Sequence, residues 1–254
     1  MSAGSEHTTM NAMTDPRTTI AMPLPCMRLI TFDLDGTLVD TAREIAEAAN
    51  RTLQQIGLPR RPVGDVTCLI GHGTRELMRG LLAQAVAAGD ARAEDLDLDA
   101  IMQRFEGHYH DTTGTDSQLY PGCLEALVRL RDAGVQLACV TNKEHRFAVR
   151  VLQATGLSGF FRLVIGGDSL AQKKPHAAVI QYCLDALAVP QSQAAHLGDS
   201  SIDVETARRA GVAAWAVPYG YNGGQPIETS HPDAVFPGVD AVADHVLSVA
   251  AKAA

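Results

Sequence analysis

From Arg28 onward, short apolar runs alternate with stretches of helical periodicity. Leu29 to Phe32, Val135 to Val140, Leu163 to Ile165, Ala194 to Leu197 and Ala213 to Val217 lack the strict alternation of a one-sided sheet. They read instead as strands buried on both faces. Gly122 to Ala133, stopped by Gly134, and Lys143 to Thr155, stopped by Gly156, predict helices between them. Strand followed by helix, repeated, predicts a parallel sheet covered on both sides.

The first and second strands are separated by about a hundred residues, far more than a normal crossover needs. The interval has a helical pattern of its own. Thr41 and Glu44 have the spacing of a capping box, and Ile45, Ala48, Ala49, Thr52, Leu53 and Ile56 follow on one face, with Gly57 and Pro59 as the stop. A second stripe is formed by Leu77, Met78, Leu81, Leu82 and Val86, and a third by Leu98, Ile101, Met102, Phe105 and Tyr109. The expected organisation is a flexible tail over residues 1–27, a core of residues 28–41 and 116–254, and a small helical bundle over 42–115. The polar tail has neither a signal-peptide core nor a membrane span, and Met27 is a candidate start.

Composition narrows the functional classes. The 254 residues, 46% of them hydrophobic, suffice for a sizeable core. A net charge of -8 argues against nucleic-acid or membrane-surface partners, which call for a basic face. Cys26, Cys68, Cys123, Cys139 and Cys183 are odd in number and unpaired in spacing. This suits neither a disulfide framework nor a thiolate zinc site, and it points to a reducing, cytoplasmic setting.

The chemistry is carried by charged residues placed where strands end. Asp33 and Asp35 follow the first strand, two apart and so starting on one side, with Gly36 allowing a sharp turn. Thr141 and Asn142 follow the second strand, Lys174 lies in a later loop, and Asp199 and Asp203 follow the fourth strand. Ligands of open α/β sheets bind at these carboxyl ends. A carboxylate cluster repels itself unless a cation joins it, and oxygen-only ligands select a hard ion such as Mg2+. One carboxylate can attack phosphorus while a second protonates the leaving oxygen. The Thr141 hydroxyl, Lys174 and nearby backbone N–H groups, including those around Gly36, supply donors to the phosphoryl oxygens. Plainer roles exist for each: Asp35-Gly36 as a turn, Asp199 and Asp203 as helix caps, Lys173 and Lys174 as a solvated pair.

Taken together these residues closely resemble the haloacid dehalogenase superfamily of aspartate-nucleophile phosphatases, over roughly residues 28 to 245. The resemblance rests on Asp33-Leu34-Asp35-Gly36-Thr37, Val140-Thr141-Asn142-Lys143, Lys174-Pro175 and Gly198-Asp199-Ser200-Ser201-Ile202-Asp203. It implies an α/β, Rossmann-like parallel sheet core with helices on both faces and an inserted helical cap domain. It further implies Asp33 as nucleophile, Asp35 as acid/base and Thr141 as phosphate ligand. Mg2+ would be held by Asp33, the backbone carbonyl of Asp35 and Asp199, with Asp203 assisting. Within the superfamily, Tyr120-Pro121-Gly122 and Lys173-Lys174-Pro175-His176 are similar to phosphoglycolate phosphatases. Gly71-His72-Gly73 resembles their glycine-rich specificity loop, with His72 where Asn is more usual and Ala177 where Pro is common. Arg75 is a candidate to fork onto a substrate carboxylate.

The expected function is therefore Mg2+-dependent hydrolysis of a small acidic phosphate ester, 2-phosphoglycolate first, through an aspartyl phosphate. The expected partner is that small phosphorylated metabolite, with the chain a monomer or homodimer. Other small-molecule phosphatases, pyrophosphatases and sugar phosphomutases share the chemistry; a phosphate sensor on the same fold is the non-enzymatic alternative. A phosphonate-cleaving relative would need a cap lysine, and residues 41–142 contain none.

Overall fold

The computed structural model describes Met1 and residues 27–93 and 96–253. The expected tail, apart from its two end residues, lies outside the described residues. The core is a six-stranded, wholly parallel sheet built from β1 (Leu29–Phe32), β4 (Gln136–Val140), β5 (Leu163–Ile165), β6 (Ala194–Gly198), β7 (Ala213–Ala216) and β8 (Ala234–Val235), in the order β5-β4-β1-β6-β7-β8. The chain builds outward from β1 in one direction, then returns to build in the other. The two directions meet beside β1, where a crevice opens at the strand ends.

Both faces are covered, as the unbroken apolar strands require. On one side Ile30, Phe32, Leu137, Cys139, Ala195 and Leu197 pack under α5 (Cys123–Asp132), α6 (His145–Ala154) and α9 (Val239–Ala253). On the other, Leu29, Ala138, Val140, Ala194 and Ala214 pack under α7 (Ala178–Leu187) and α8 (Ser201–Ala210). Neighbouring strand residues thus enter opposite cores, the two-residue period of a pleat.

A ribbon of two antiparallel two-residue strands, β2 (Val39–Asp40) and β3 (Gln118–Leu119), brackets the insert; the sequence pattern was too short to show it. Between them the described elements are all helical: α1 (Ala42–Gln55), a short α2 (Val63–Thr67), α3 (Thr74–Ala87), a 3-10 turn at Ala91–Ala93 and α4 (Leu98–Thr112). The three expected stripes meet in one core, joined by Phe147 of α6 through a run of rings, Phe105 to Tyr109 at 5.1 Å and Tyr109 to Phe147 at 4.5 Å. Val86 is the exception, exposed, with Ala85 buried in its place.

The capping box expected at Thr41 and Glu44 is absent. Thr41 gives its hydroxyl to Asp35 Oδ1 at 2.6 Å. Glu44 is buried and accepts from the Gly114 N–H at 3.0 Å and Ser117 Oγ at 2.8 Å. Tertiary partners outcompete the local motif because both side chains face inward. The helix expected from Lys143 begins two residues later, which leaves Asn142 and Lys143 as strand-end residues that face the crevice.

Candidate active site

The chain ends of β1, β4 and β6 converge. The Asp33 N–H donates to the Leu197 carbonyl at 2.9 Å, tying the residue after β1 to β6. Gly36 has φ +86°, a conformation that glycine adopts without strain, and the turn it makes returns the chain to Val39. A Cβ on Gly36 would stand 2.5 Å from Asp199 Oδ2, and one on Gly220 only 2.2 Å from the same oxygen. Two glycines therefore make room for one carboxylate.

Asp33, Asp199 and Asp203 each offer an oxygen within 4.8 Å of the others, all three residues being buried. Lys174, 3% exposed, places its ammonium 2.8 Å from Asp33 Oδ1 and 2.7 Å from Asp203 Oδ1. Asp33 Oδ1 is buried, and the Lys174 ammonium is its one close cationic neighbour among the described residues. Asp203 has more partners. Its Oδ2 accepts from the N–H and hydroxyl of Ser200 in a capping box for α8, and its Oδ1 accepts from Lys174 and pairs with His196 Nε2 at 3.1 Å. The plain reading of Asp203 as a helix cap and the functional one hold together. Asp199 accepts from the Thr37 hydroxyl at 2.7 Å and the Tyr221 N–H at 2.5 Å.

Electrostatics separates these acids. Burial, helped by Asp203 and Asp35, pushes Asp33 up to about 7 against the pull of Lys174. Burial also raises Asp199, with Asp203 and Asp33 adding to it. Burial alone would raise Asp203 too, but Lys174 and His196 more than offset it and hold its carboxyl well below the usual range. Lys174 keeps its charge because the carboxylates of Asp203 and Asp33 outweigh its own burial. Three carboxyl groups face one ammonium, and burial and mutual repulsion favour the protonated forms of Asp33 and Asp199. The ligand atoms the three acids offer are all oxygen. Such a set fits a hard divalent cation.

Asp35 sits across the crevice and is oriented by Thr41 and by Lys143, whose ammonium is 2.8 Å from its Oδ1. Lys143 also donates to the Tyr109 hydroxyl of the insert. Thr141 is buried and lines the same cavity. Asn142 donates to the carbonyls of Gly71 at 2.9 Å and Lys174 at 3.0 Å, which leaves its own Oδ1 buried without a donor. The cavity lies between these strand ends and Ile45, Ile70, Gly71, Thr74 and Leu77 of the insert.

Of the expected site residues, Asp33, Asp35, Thr141, Asn142 and Asp199 line the cavity; Lys174 and Asp203 stand behind them, and Gly36 shapes the turn. His72 and Arg75 are placed elsewhere. His72 is exposed and its carbonyl takes Lys173 Nζ at 2.7 Å; Arg75 is exposed and pairs with Asp99. Side chains at the start of a helix diverge, and here Thr74 turns inward while Arg75 turns out. Sequence reasoning missed Lys143, Tyr109, Thr74 and Tyr221. Lys143 is two residues from Thr141, and Tyr219-Gly220-Tyr221 follows β7 at the ligand edge of the sheet, so their positions after strands were the signal that could have found both.

The chain also matches the model of the haloacid dehalogenase-like hydrolases over residues 30–217. This chain belongs to that family. Among curated relatives of this hydrolase, a plasmid-borne phosphoglycolate phosphatase of Cupriavidus necator is 42% identical over 79% of this chain and 84% of its own length. The phosphoglycolate phosphatase of Aliivibrio fischeri is 39% identical over 82% and 92%. A crystal structure from Haemophilus somnus, described as a predicted phosphoglycolate phosphatase, superposes with a TM-score of 0.83 at 31% identity, covering 87% of this chain and 99% of that one. Among the described residues, no helix of this hydrolase is long and apolar enough to cross a membrane.

Proposed function

We propose that this hydrolase is a Mg2+-dependent phosphomonoesterase that passes the phosphoryl group through Asp33, with 2-phosphoglycolate as its preferred substrate and the cytoplasm as its setting. The observation that carries the reading is the meeting of Asp33, Asp199 and Asp203 at one edge of the sheet, with Asp33 on the cavity wall and the Lys174 ammonium 2.8 Å from its Oδ1. A carboxylate fixed on the wall of the cavity beside a cation is placed to attack phosphorus.

Asp33 attacks phosphorus while the bond to the ester oxygen breaks, and Asp35, held by Thr41 and Lys143, delivers a proton to the departing oxygen. Asp35 then takes a proton from the water that releases phosphate from Asp33. Thr141 and Lys174 stabilise the charge that spreads over the phosphoryl oxygens. Asp33, Asp199 and the backbone carbonyl of Asp35 would hold magnesium, with Asp203 supporting through Lys174; the ion would neutralise the carboxylates so that an anionic substrate can approach.

The names of the relatives support phosphoglycolate, and so does the cavity. Ile45, Ile70 and Leu77 limit its size to that of a small ester, while the Lys143 ammonium in its wall is paired with Asp35. The insert is proposed to act as a cap that excludes water during the reaction. Phosphate release measured with phosphoglycolate, pyrophosphate and hexose phosphates, with Mg2+ and with a chelator, tests this. The highest kcat/KM is expected for phosphoglycolate, and chelation is expected to abolish it. A faster hexose phosphate or pyrophosphate removes the substrate assignment; hydrolysis insensitive to chelation removes the metal.

The metal also has a pH signature. With Asp33 ionising near 7 instead of its ordinary 3.8, the metal-free folded state retains a proton that the unfolded chain releases. That group's contribution to metal-free stability therefore falls as pH rises from about 4 to about 7. Magnesium must displace this proton, so the rise in melting temperature on adding Mg2+ should grow from about pH 5.5 to about pH 7.5. A magnesium effect constant across that range contradicts Asp33 as a ligand.

A further inference from the structure

The chain passes from the sheet into the insert at Asp40, Thr41 and Ala42, and a residue from the far end of the sequence holds this crossing. The Tyr221 hydroxyl accepts from the N–H groups of Thr41 at 2.9 Å and Ala42 at 3.0 Å, and donates to Asp40 Oδ1 at 2.5 Å. It serves the start of α1, the role that Thr41 and Glu44 do not fill. The main-chain N–H of the same tyrosine donates to Asp199 Oδ2. One buried residue thus touches a candidate metal ligand through its backbone and the hinge of the insert through its ring. The packing between them is tight: a Cβ on Gly36 would meet Tyr221 Cδ2 at 3.0 Å and Asp199 Oδ2 at 2.5 Å. A second tie runs alongside, since the Tyr219 hydroxyl donates to the Thr37 carbonyl at 2.9 Å and the Thr37 hydroxyl donates to Asp199 Oδ1.

We infer that Tyr221 couples cation binding at Asp199 to the seating of the insert on the sheet. The inference rests on the proposal that Asp199 takes a divalent cation. A cation there fixes the carboxylate, the carboxylate fixes the Tyr221 backbone, and the ring hydroxyl fixes the first turn of α1. Close-packed interiors transmit such displacement. Linkage makes the effect reciprocal, so a seated insert strengthens cation binding by the same factor. Tyr221 is on this account a positioning residue.

The test is hydrogen exchange at the Thr41 and Ala42 amides of the full chain, with and without Mg2+ alone, in the natural protein and in Tyr221→Phe. Phenylalanine keeps the ring and the backbone bond to Asp199 and removes only the hydroxyl. Mg2+ is expected to slow these amides about five- to tenfold in the natural protein, the worth of one hydrogen bond, and to leave them unchanged in the variant. Its effect on melting temperature should persist in both. Equal protection in Tyr221→Phe, or none in a natural protein that binds Mg2+, overturns the coupling. If Tyr221→Phe fails to fold, Asp40→Asn, which weakens the acceptor of the hydroxyl, should show a reduced magnesium effect; an undiminished one overturns the coupling. Asp199→Asn identifies the other failure: a melting shift with Mg2+ as large as in the natural protein removes the cation from Asp199, and the inference with it.

Discussion

Replacing Asp33 with asparagine should abolish phosphate release, by on the order of a thousandfold or more, while the protein stays folded. Asparagine has the shape of aspartate but no nucleophilic charge. Its effect on stability should be small or favourable near pH 8, because the fold already resists ionising Asp33: burial has pushed that carboxyl up to about 7. Lys174 retains Asp203 as its partner, so the substitution strands no buried charge. Phosphate release and a thermal melt on one preparation decide the matter. Substantial residual turnover in a folded Asp33→Asn protein rules out the covalent route.

The reverse pattern is expected of Lys174→Met, where stability and turnover should fall together. The Lys174 ammonium is the buried cation between Asp33 and Asp203, and removing it leaves two carboxylates facing each other with Asp199 close by. Removing one partner of a buried charge pair costs about 3–5 kcal/mol. The deficit should depend on pH with a definite sign. Lys174 does most to offset the burial of Asp203, so without it burial raises that carboxyl. The folded variant must then ionise it against burial between about pH 4 and about pH 8, while the natural protein has it ionised throughout. The gap between natural protein and variant should therefore be wide near pH 8 and narrow towards pH 4. Denaturant melts at both values measure it. A gap that is small at both would show that Lys174 is not holding these acids together.

The acids were legible in the sequence because strand and chemistry coincide there: an apolar run that ends in Asp fixes both where the chain goes and where the carboxylate sits. The sheet was legible for the same reason, its strands being apolar on both faces. What escaped depended on partners distant in sequence. Thr41 and Glu44 have the spacing of a local motif, yet Asp35, Gly114 and Ser117 claim their side chains. Arg75 has the right chemistry for a substrate carboxylate, but helical geometry aims it at Asp99. Tyr221 lies 180 residues from Thr41, and no local pattern relates the two. The ribbon of β2 and β3 and the strand β8 are two residues long per strand, too short for any period to register.

That ribbon carries both chain crossings between the sheet and the inserted helices α1 to α4. Everything that shapes the upper wall of the cavity is consequently inherited as one cassette, spliced into the chain at a single seam, whereas Asp33, Asp35, Asp199, Asp203 and Lys174 all lie outside it. Remodelling the cassette would change the molecules admitted and leave the reacting groups in place only where the Tyr109 contact to Lys143 and the Tyr221 contacts to the start of α1 are kept.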